Sequence, residues 1–190
     1  MKNDIILAGV GGQGILSIAA VIGFGAVENN LFIKQAEVHG MSQRGGDVQS
    51  HMRLSDSEIS SDLIPYGGAD LILSVEPMES LRYLPWLSPN GHLVTSSNPY
   101  NNISDYPDPE DIYSEIRKIR NHLIIDAEAI ARDIGSARAA NIVMLGAASP
   151  YINVPYSSLE NAIRKLFGRK GEEVIDLNLR ALKAGAGQVI

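Results

Sequence analysis

The chain has 190 residues, 45% hydrophobic and 20% charged, with a formal net charge of −6, an ordinary globular composition long enough to bury a sizeable core in one domain over 1–190. The acidic balance, with basic runs no longer than Arg117-Lys118, Arg164-Lys165 and Arg169-Lys170, argues against nucleic acid or anionic membranes as partners. With no cysteine, disulfides, Cys-type zinc sites and thiolate-held iron–sulfur clusters are excluded from this chain.

Met1-Lys2-Asn3-Asp4 leads straight into an apolar run, without the charged region, apolar core and cleavage site of a signal peptide. The longest apolar stretch, 15–27, falls short of a membrane span and is interrupted by Ser17 and two glycines. A cytoplasmic protein is expected.

Ile5-Ile6-Leu7-Ala8 is a continuous apolar run closed by glycine, and Leu71-Ile72-Leu73, Leu93-Val94 and Leu123-Ile124-Ile125 repeat it at wide spacing. Runs apolar on both faces suit parallel strands covered on two sides. Helical stretches are expected between them at 12–29, 77–87, 109–121 and 126–135. The first is apolar nearly all round. Ile15, Ile18, Ala19, Ile22, Gly23 and Ala26 form one stripe, and Leu16, Ala20, Val21 and Phe24 occupy the other side. Such a helix must be covered on most sides, by later helices of the chain or by a partner.

Val48, Ser50, Met52 and Leu54 alternate with Gln49, His51, Arg53 and Ser55, which reads as a half-buried strand. A turn at 55–58 and the segment 59–64 then predict a hairpin at the sheet edge. Residues 98–109 form a proline-punctuated surface loop. Helices are expected over 141–149, after a Ser157/Glu160 capping box and up to Gly168, and over 172–184. The fold expected is α/β, three-layer and Rossmann-like, a mostly parallel sheet with an edge β-hairpin and C-terminal helices.

Two segments carry the candidate site. Gly9-Val10-Gly11-Gly12-Gln13-Gly14 joins a strand to a helix and fits the dinucleotide fingerprint: one glycine for a tight turn, one for phosphate approach, one for close helix packing. Glu37, 23 residues past Gly14, stands roughly where an acid would hold a ribose hydroxyl. The same turn also closes strand-helix units that bind nothing. Glu37-Val38-His39-Gly40-Met41-Ser42-Gln43-Arg44-Gly45-Gly46 packs charge, donors and glycines without core periodicity, as a site or interface does. Arg44 offers a rigid five-donor fork for a carboxylate, phosphate or carbonyl. His39 and His51 lack the i, i+4 partner and acidic neighbours of a metal site, and His51 reads as a surface or hydrogen-bonding histidine. Glu76 before Pro77 and Asp126 before Ala127 read as helix caps. No nucleophile elbow, Walker loop or thiamine-type Gly-Asp-Gly occurs, so no catalytic residue and no metal ligand is assigned.

The chain resembles the indolepyruvate ferredoxin oxidoreductase beta subunits, equivalent to the gamma subunit or domain of the 2-oxoacid:ferredoxin oxidoreductases. The resemblance covers essentially the whole chain. It is carried by Gly-Val-Gly-Gly-Gln-Gly at 9–14, Glu-Val-His-Gly-Met-Ser-Gln-Arg-Gly-Gly at 37–46, Ala-Asp-Leu-Ile-Leu-Ser-Val-Glu-Pro-Met-Glu-Ser-Leu-Arg-Tyr at 69–83 and Asn-Ile-Val-Met-Leu-Gly-Ala at 141–147. The full His-Gly-Met-Ser-Gln-Arg form looks more like the arylpyruvate branch than the pyruvate gamma subunits. It implies an accessory subunit, inactive alone, of a complex that oxidatively decarboxylates a 2-oxoacid to an acyl-CoA and passes electrons to ferredoxin. Thiamine diphosphate and the iron–sulfur clusters are then carried by the larger catalytic alpha subunit, with none of these cofactors on this chain and CoA acting in the complex. The ligand- or partner-facing residues are then Gly9, Gly11, Gly12, Gln13, Gly14, Glu37, His39, Gly40, Met41, Ser42, Gln43, Arg44 and Gly45. The alternatives are a gamma subunit of a pyruvate or 2-oxoglutarate ferredoxin oxidoreductase, or a freestanding NAD- or FAD-binding oxidoreductase.

Overall fold

The computed structural model describes residues 1–40, 45–101 and 103–189. In chain order the elements are β1 (Lys2–Val10), α1 (Ile15–Glu28), β2 (Phe32–His39), β3 (Asp47–Ser55), β4 (Ala69–Ser74), α2 (Pro77–Arg82), β5 (Leu87–Ser96), α3 (Pro109–Ile116), β6 (His122–Ile125), α4 (Ala127–Asp133), α5 (Ala140–Ala148), α6 (Tyr156–Phe167) and α7 (Glu172–Ala186). The sheet order is β2-β3-β1-β4-β5-β6. β1, β4, β5 and β6 are mutually parallel, while β3 runs antiparallel to both β1 and β2. No described helix is long and apolar enough to cross a membrane.

Both faces of the parallel strands are covered, as their unbroken apolar runs require. On one face Ile5, Leu7, Leu71, Leu73 and Val94 join the buried sides of α1, α4, α5, α6 and α7. On the other, Ile6, Ala8, Ile72 and Leu93 meet Tyr83, Ile112 and Ile116. The three layers expected of an α/β fold are present.

The edge hairpin exists, but its strands differ from those expected: β3 pairs with the upstream strand β2, from Phe32↔Ser55 to His39↔Val48. Residues 59–64 form no strand. Their backbone is held by side chains of β3 instead, with Arg53 Nη1 donating to Ser61 O (3.0 Å) and Leu63 O (3.1 Å) and Ile64 N–H donating to His51 Nδ1 (3.0 Å). The Ser157/Glu160 capping box is also absent. Pro155, with φ −54°, starts α6 at Tyr156, which places Ser157 inside the first turn. The helix expected over 77–87 stops at Arg82 and continues as a short 3-10 turn at Leu84–Trp86, because Pro85 cannot extend the α-helical ladder.

His51 is buried rather than on the surface, with Trp86 edge-on at 5.9 Å. Accepting a hydrogen bond at Nδ1 fixes the neutral ring with its proton on Nε2. Burial, and secondarily Arg53, lower its pKa from 6.5 against a smaller opposing effect of Asp4. The unfolded chain therefore binds more protons as pH falls, so stability is full above about pH 6.5 and declines as pH drops toward the folded pKa. Urea unfolding at about pH 7.5 and about pH 5.5 should show a larger loss for the native chain than for His51→Gln. Equal losses in both would disprove this role.

Candidate functional site

Because β1 and β2 both run antiparallel to β3, their carboxyl ends emerge on the same side of the sheet, beside those of β4, β5 and β6. The helix after β1 covers one face and the helix after β4 the other, so a crevice opens between them, the place where open α/β sheets take ligands. The described parts of the segments that carry the family resemblance converge there.

The turn after β1 is tied to the tip of the β2–β3 hairpin. Gly11 N–H donates to Gly46 O (2.8 Å) and Gly45 N–H to Gly11 O (3.4 Å). Val10 N–H donates to Gln13 Oε1 (2.8 Å) and Gln13 N–H to Val10 O (3.1 Å), closing the turn on itself. Gly9 must be glycine because a Cβ there would strike Val75 and lie 2.9 Å from Ile15 Cδ1. Gly14, at φ +83°, caps α1, and a Cβ there would meet Asn141 Nδ2 at 2.5 Å. Asn141, at the start of α5, donates from Nδ2 to Gly14 O (3.1 Å). Gly40 donates its N–H to Asp47 O (3.0 Å) across the base of the tip.

The structure therefore brings Gly9, Gly11, Gly12, Gln13, Gly14, Gly40 and Gly45 together, and places the backbone of His39 at the end of β2. Met41, Ser42, Gln43 and Arg44 lie outside the described residues. Glu37 is apart from the turn: it pairs with Ser50, which pairs with Leu7, so it stands two strand spacings, roughly 10 Å, from β1 and short of its end. Gln35 Nε2 donates to Glu37 Oε2 (3.4 Å) and to Ser50 Oγ (3.1 Å).

The two walls of the crevice carry different groups, and the α1 side holds both signs of charge, with Glu128, itself paired with Arg132 (3.1 Å), lining it beside Arg138 and Lys170. On the α2 side Glu76 caps the helix, accepting from Glu79 N–H (2.7 Å), and receives Tyr106 Oη and Tyr100 N–H from the loop after β5. Burial raises the pKa of Glu79, opposed by its ion pair with Arg82 (2.8 Å). Burial, and then Asp47 and Glu79, push Tyr83 upward. Burial and the bond to Glu76 do the same to Tyr106. Asp126 caps α4 through Ala129 N–H (2.8 Å), and its bond from Asn98 (2.8 Å) is the main cause of its lowered pKa. Both carboxylates are the helix caps expected of them.

On the α1 side a cavity of about 730 Å³ runs from the turn at Gly12, Gln13 and Gly14 past Asn98 to Arg138 and Lys170. Arg138 and Lys170 make no ion pair among the described residues. Sequence reasoning missed this basic rim because the two residues lie in unrelated segments. The role of Asn141 within the 141–147 motif is not legible in the sequence, since its partner, Gly14, is 127 positions away.

The family model described as pyruvate ferredoxin/flavodoxin oxidoreductase matches residues 4–188. The indolepyruvate oxidoreductase subunit IorB of Archaeoglobus fulgidus is 37% identical over 100% of this chain and 96% of its own length. Among solved structures, the pyruvate oxidoreductase subunit PORC of Thermotoga maritima is 23% identical, with a TM-score of 0.74 over 98% of this chain and 96% of that one. The 2-oxoglutarate:ferredoxin oxidoreductase of Magnetococcus marinus, solved with 2-oxoglutarate, coenzyme A and succinyl-CoA bound, is 23% identical, with a TM-score of 0.78. It matches over 98% of this chain, which spans 31% of that longer protein.

Proposed function

This chain belongs to the pyruvate ferredoxin/flavodoxin oxidoreductase family, and from that premise we propose that it is the accessory beta subunit of an indolepyruvate ferredoxin oxidoreductase. In this reading residues 1–190 form a single gamma-type domain. The larger alpha subunit carries thiamine diphosphate and the iron–sulfur clusters, decarboxylates an arylpyruvate oxidatively to the acyl-CoA and passes the electrons to ferredoxin. The observation that carries the choice of substrate class is the 37% identity to IorB along the full chain; the pyruvate and 2-oxoglutarate proteins, at 23%, share the fold.

The absence of cysteine fits this division of labour, since thiolate-held clusters need ligands from another chain. A freestanding NAD or FAD enzyme is disfavoured by geometry. Gly11 N–H, where a pyrophosphate would approach, is taken by Gly46 O, and Glu37 is separated from β1 by β3. We assign the turn 9–14 and the tip 37–46, including His39, Met41, Ser42, Gln43 and Arg44, to the surface facing the alpha subunit or its substrate channel. The basic rim at Arg138 and Lys170 is the part of this chain suited to the phosphates of CoA.

The test is co-expression with the large subunit and assay of CoA-dependent reduction of ferredoxin with indolepyruvate, pyruvate and 2-oxoglutarate. Activity is expected only from the complex, and highest with the arylpyruvate. Decarboxylation by this chain alone would defeat the proposal, as would failure to copurify. Arg44→Glu is expected to lower turnover about tenfold or more without loss of folding. Undiminished assembly and turnover would remove the tip from the site.

A further inference from the structure

The outer side of α1 is a surface that the described residues leave exposed. The helix has no charged residue before Glu28, and Ile15, Ile18, Ala19, Ile22 and Ala26 are buried within the fold. Gly25 lies against Val154 and Ser158, so α6 packs on that flank. Away from it Leu16, Phe24 and Val27 are 55%, 47% and 64% exposed. With Ala20 and Gly23 they follow the i, i+4, i+7, i+8, i+11 spacing of one helix face, a stripe roughly 16 Å long. Gly23 adds no side chain to it, and the space where its Cβ would stand is open among the described residues. Neighbouring helices on the same side of the sheet turn charges outward instead, Arg164 and Lys165 on α6 and Asp176 and Arg180 on α7.

Helix α1 also packs along β2, the terminal strand of the sheet, whose outer edge has no strand beside it among the described residues. An open eight-residue edge next to an apolar helix face is a combination that proteins cover. The α1 stripe, free of charges, has the composition of a permanent interface rather than a transient one, while the β2 edge beside it carries Lys34, paired with Asp62 (3.1 Å), and Glu37.

Resting on the function proposed above, we infer that the outer side of α1 and the adjoining edge of β2 form the docking face for the larger catalytic subunit. The stripe starts at Leu16, two residues beyond Gly14, so a body seated on the glycine turn and hairpin tip continues onto it. A second copy of this chain is the competing occupant, but it gives no reason for the stripe to begin at the turn.

The experiment compares the native chain with Leu16→Glu/Phe24→Glu, co-expressed with the large subunit and followed by size-exclusion chromatography, with urea unfolding of each purified chain. Tyr66→Glu, 73% exposed and tilted against Trp86 at 4.5 Å on the opposite face of the sheet, serves as control. The native chain and the control should retain the large subunit. The double variant should bind it roughly 100-fold more weakly or lose it, with an unchanged unfolding midpoint. A folded double variant that holds the large subunit as tightly as the native chain overturns the inference. So does one that loses only self-association of this chain, which would assign the stripe to a second copy. If the native chain itself fails to hold the large subunit, the proposed function falls and this inference with it. Should the double variant misfold, Val27→Lys at the far end of the stripe takes its place, with a roughly tenfold weakening expected and undiminished binding overturning the inference.

Discussion

Arg53→Ala is expected to cost about 3 kcal/mol of folding stability, because it leaves a carboxylate inside the protein with its principal partner gone. Asp4 is fully buried in β1. Arg53 reaches it with two parallel bonds, Nε to Oδ1 at 2.8 Å and Nη2 to Oδ2 at 3.0 Å, while Nη1 holds the carbonyls of Ser61 and Leu63. The value lies at the low end of the usual 3–5 kcal/mol for broken buried pairs, since Lys2 Nζ still stands 2.6 Å from Asp4 Oδ2. The pair need not add net stability over apolar residues of similar size. Asp4→Leu/Arg53→Met should therefore lose less than the sum of its two single changes, a coupling that a double-mutant cycle in urea measures directly. Strict additivity would mean that the two side chains act independently and would reject this account.

Gly185→Ala sets two effects of opposite sign against each other. In the interior of an exposed helix the exchange stabilises by about 1 kcal/mol through propensity alone. In α7 an added Cβ would overlap Val143 O of α5 and lie 2.8 Å from Val143 C and 2.9 Å from Ala147 N, so the helices must separate or bend. Gly146 faces the same contact from α5, where a Cβ would run into Leu182 O and approach Ala186 N to 2.9 Å. Overpacking against backbone costs about 3 kcal/mol or more, leaving a net destabilisation of about 2 kcal/mol once the propensity gain is subtracted. Urea unfolding should show a lower midpoint at unchanged slope. A midpoint at or above that of the native chain would mean that α5 and α7 do not pack backbone to backbone. Because α5 carries Asn141 and α7 lines the cavity with Val174, Leu177 and Asn178, their separation would also disturb the wall beside the glycine turn.

The parallel strands were legible because each is a continuous apolar run, the pattern of a strand covered on both faces. The caps at Glu76 and Asp126 were legible because a cap is local: the carboxylate answers an N–H three residues away. The partner of β3 was not legible. Phe32–His39 mixes apolar and polar residues on both of its faces, as an edge strand does, while 59–64 ends in the more strand-like Leu63-Ile64. The distinction lies in Arg53 and His51, whose side chains hold 61–64 as an irregular strap. Helix α1 shows a similar division. Its all-round apolarity announced that it would be covered, yet which side faces α6 and which faces outward depends on the rotation imposed by Gly25 against Val154 and Ser158.

By itself the sequence determined the α/β class, the strand-turn-helix at 5–28, the family and the absence of thiolate chemistry, because each rests on composition or on residues close together in the chain. Only the tertiary structure decided that Gly11 meets Gly46, that Asn141 closes on Gly14, that Glu37 stands a strand away from the turn and that Arg138 and Lys170 share one rim. Each of those is a pairing between residues far apart in sequence, fixed by strand order and helix packing.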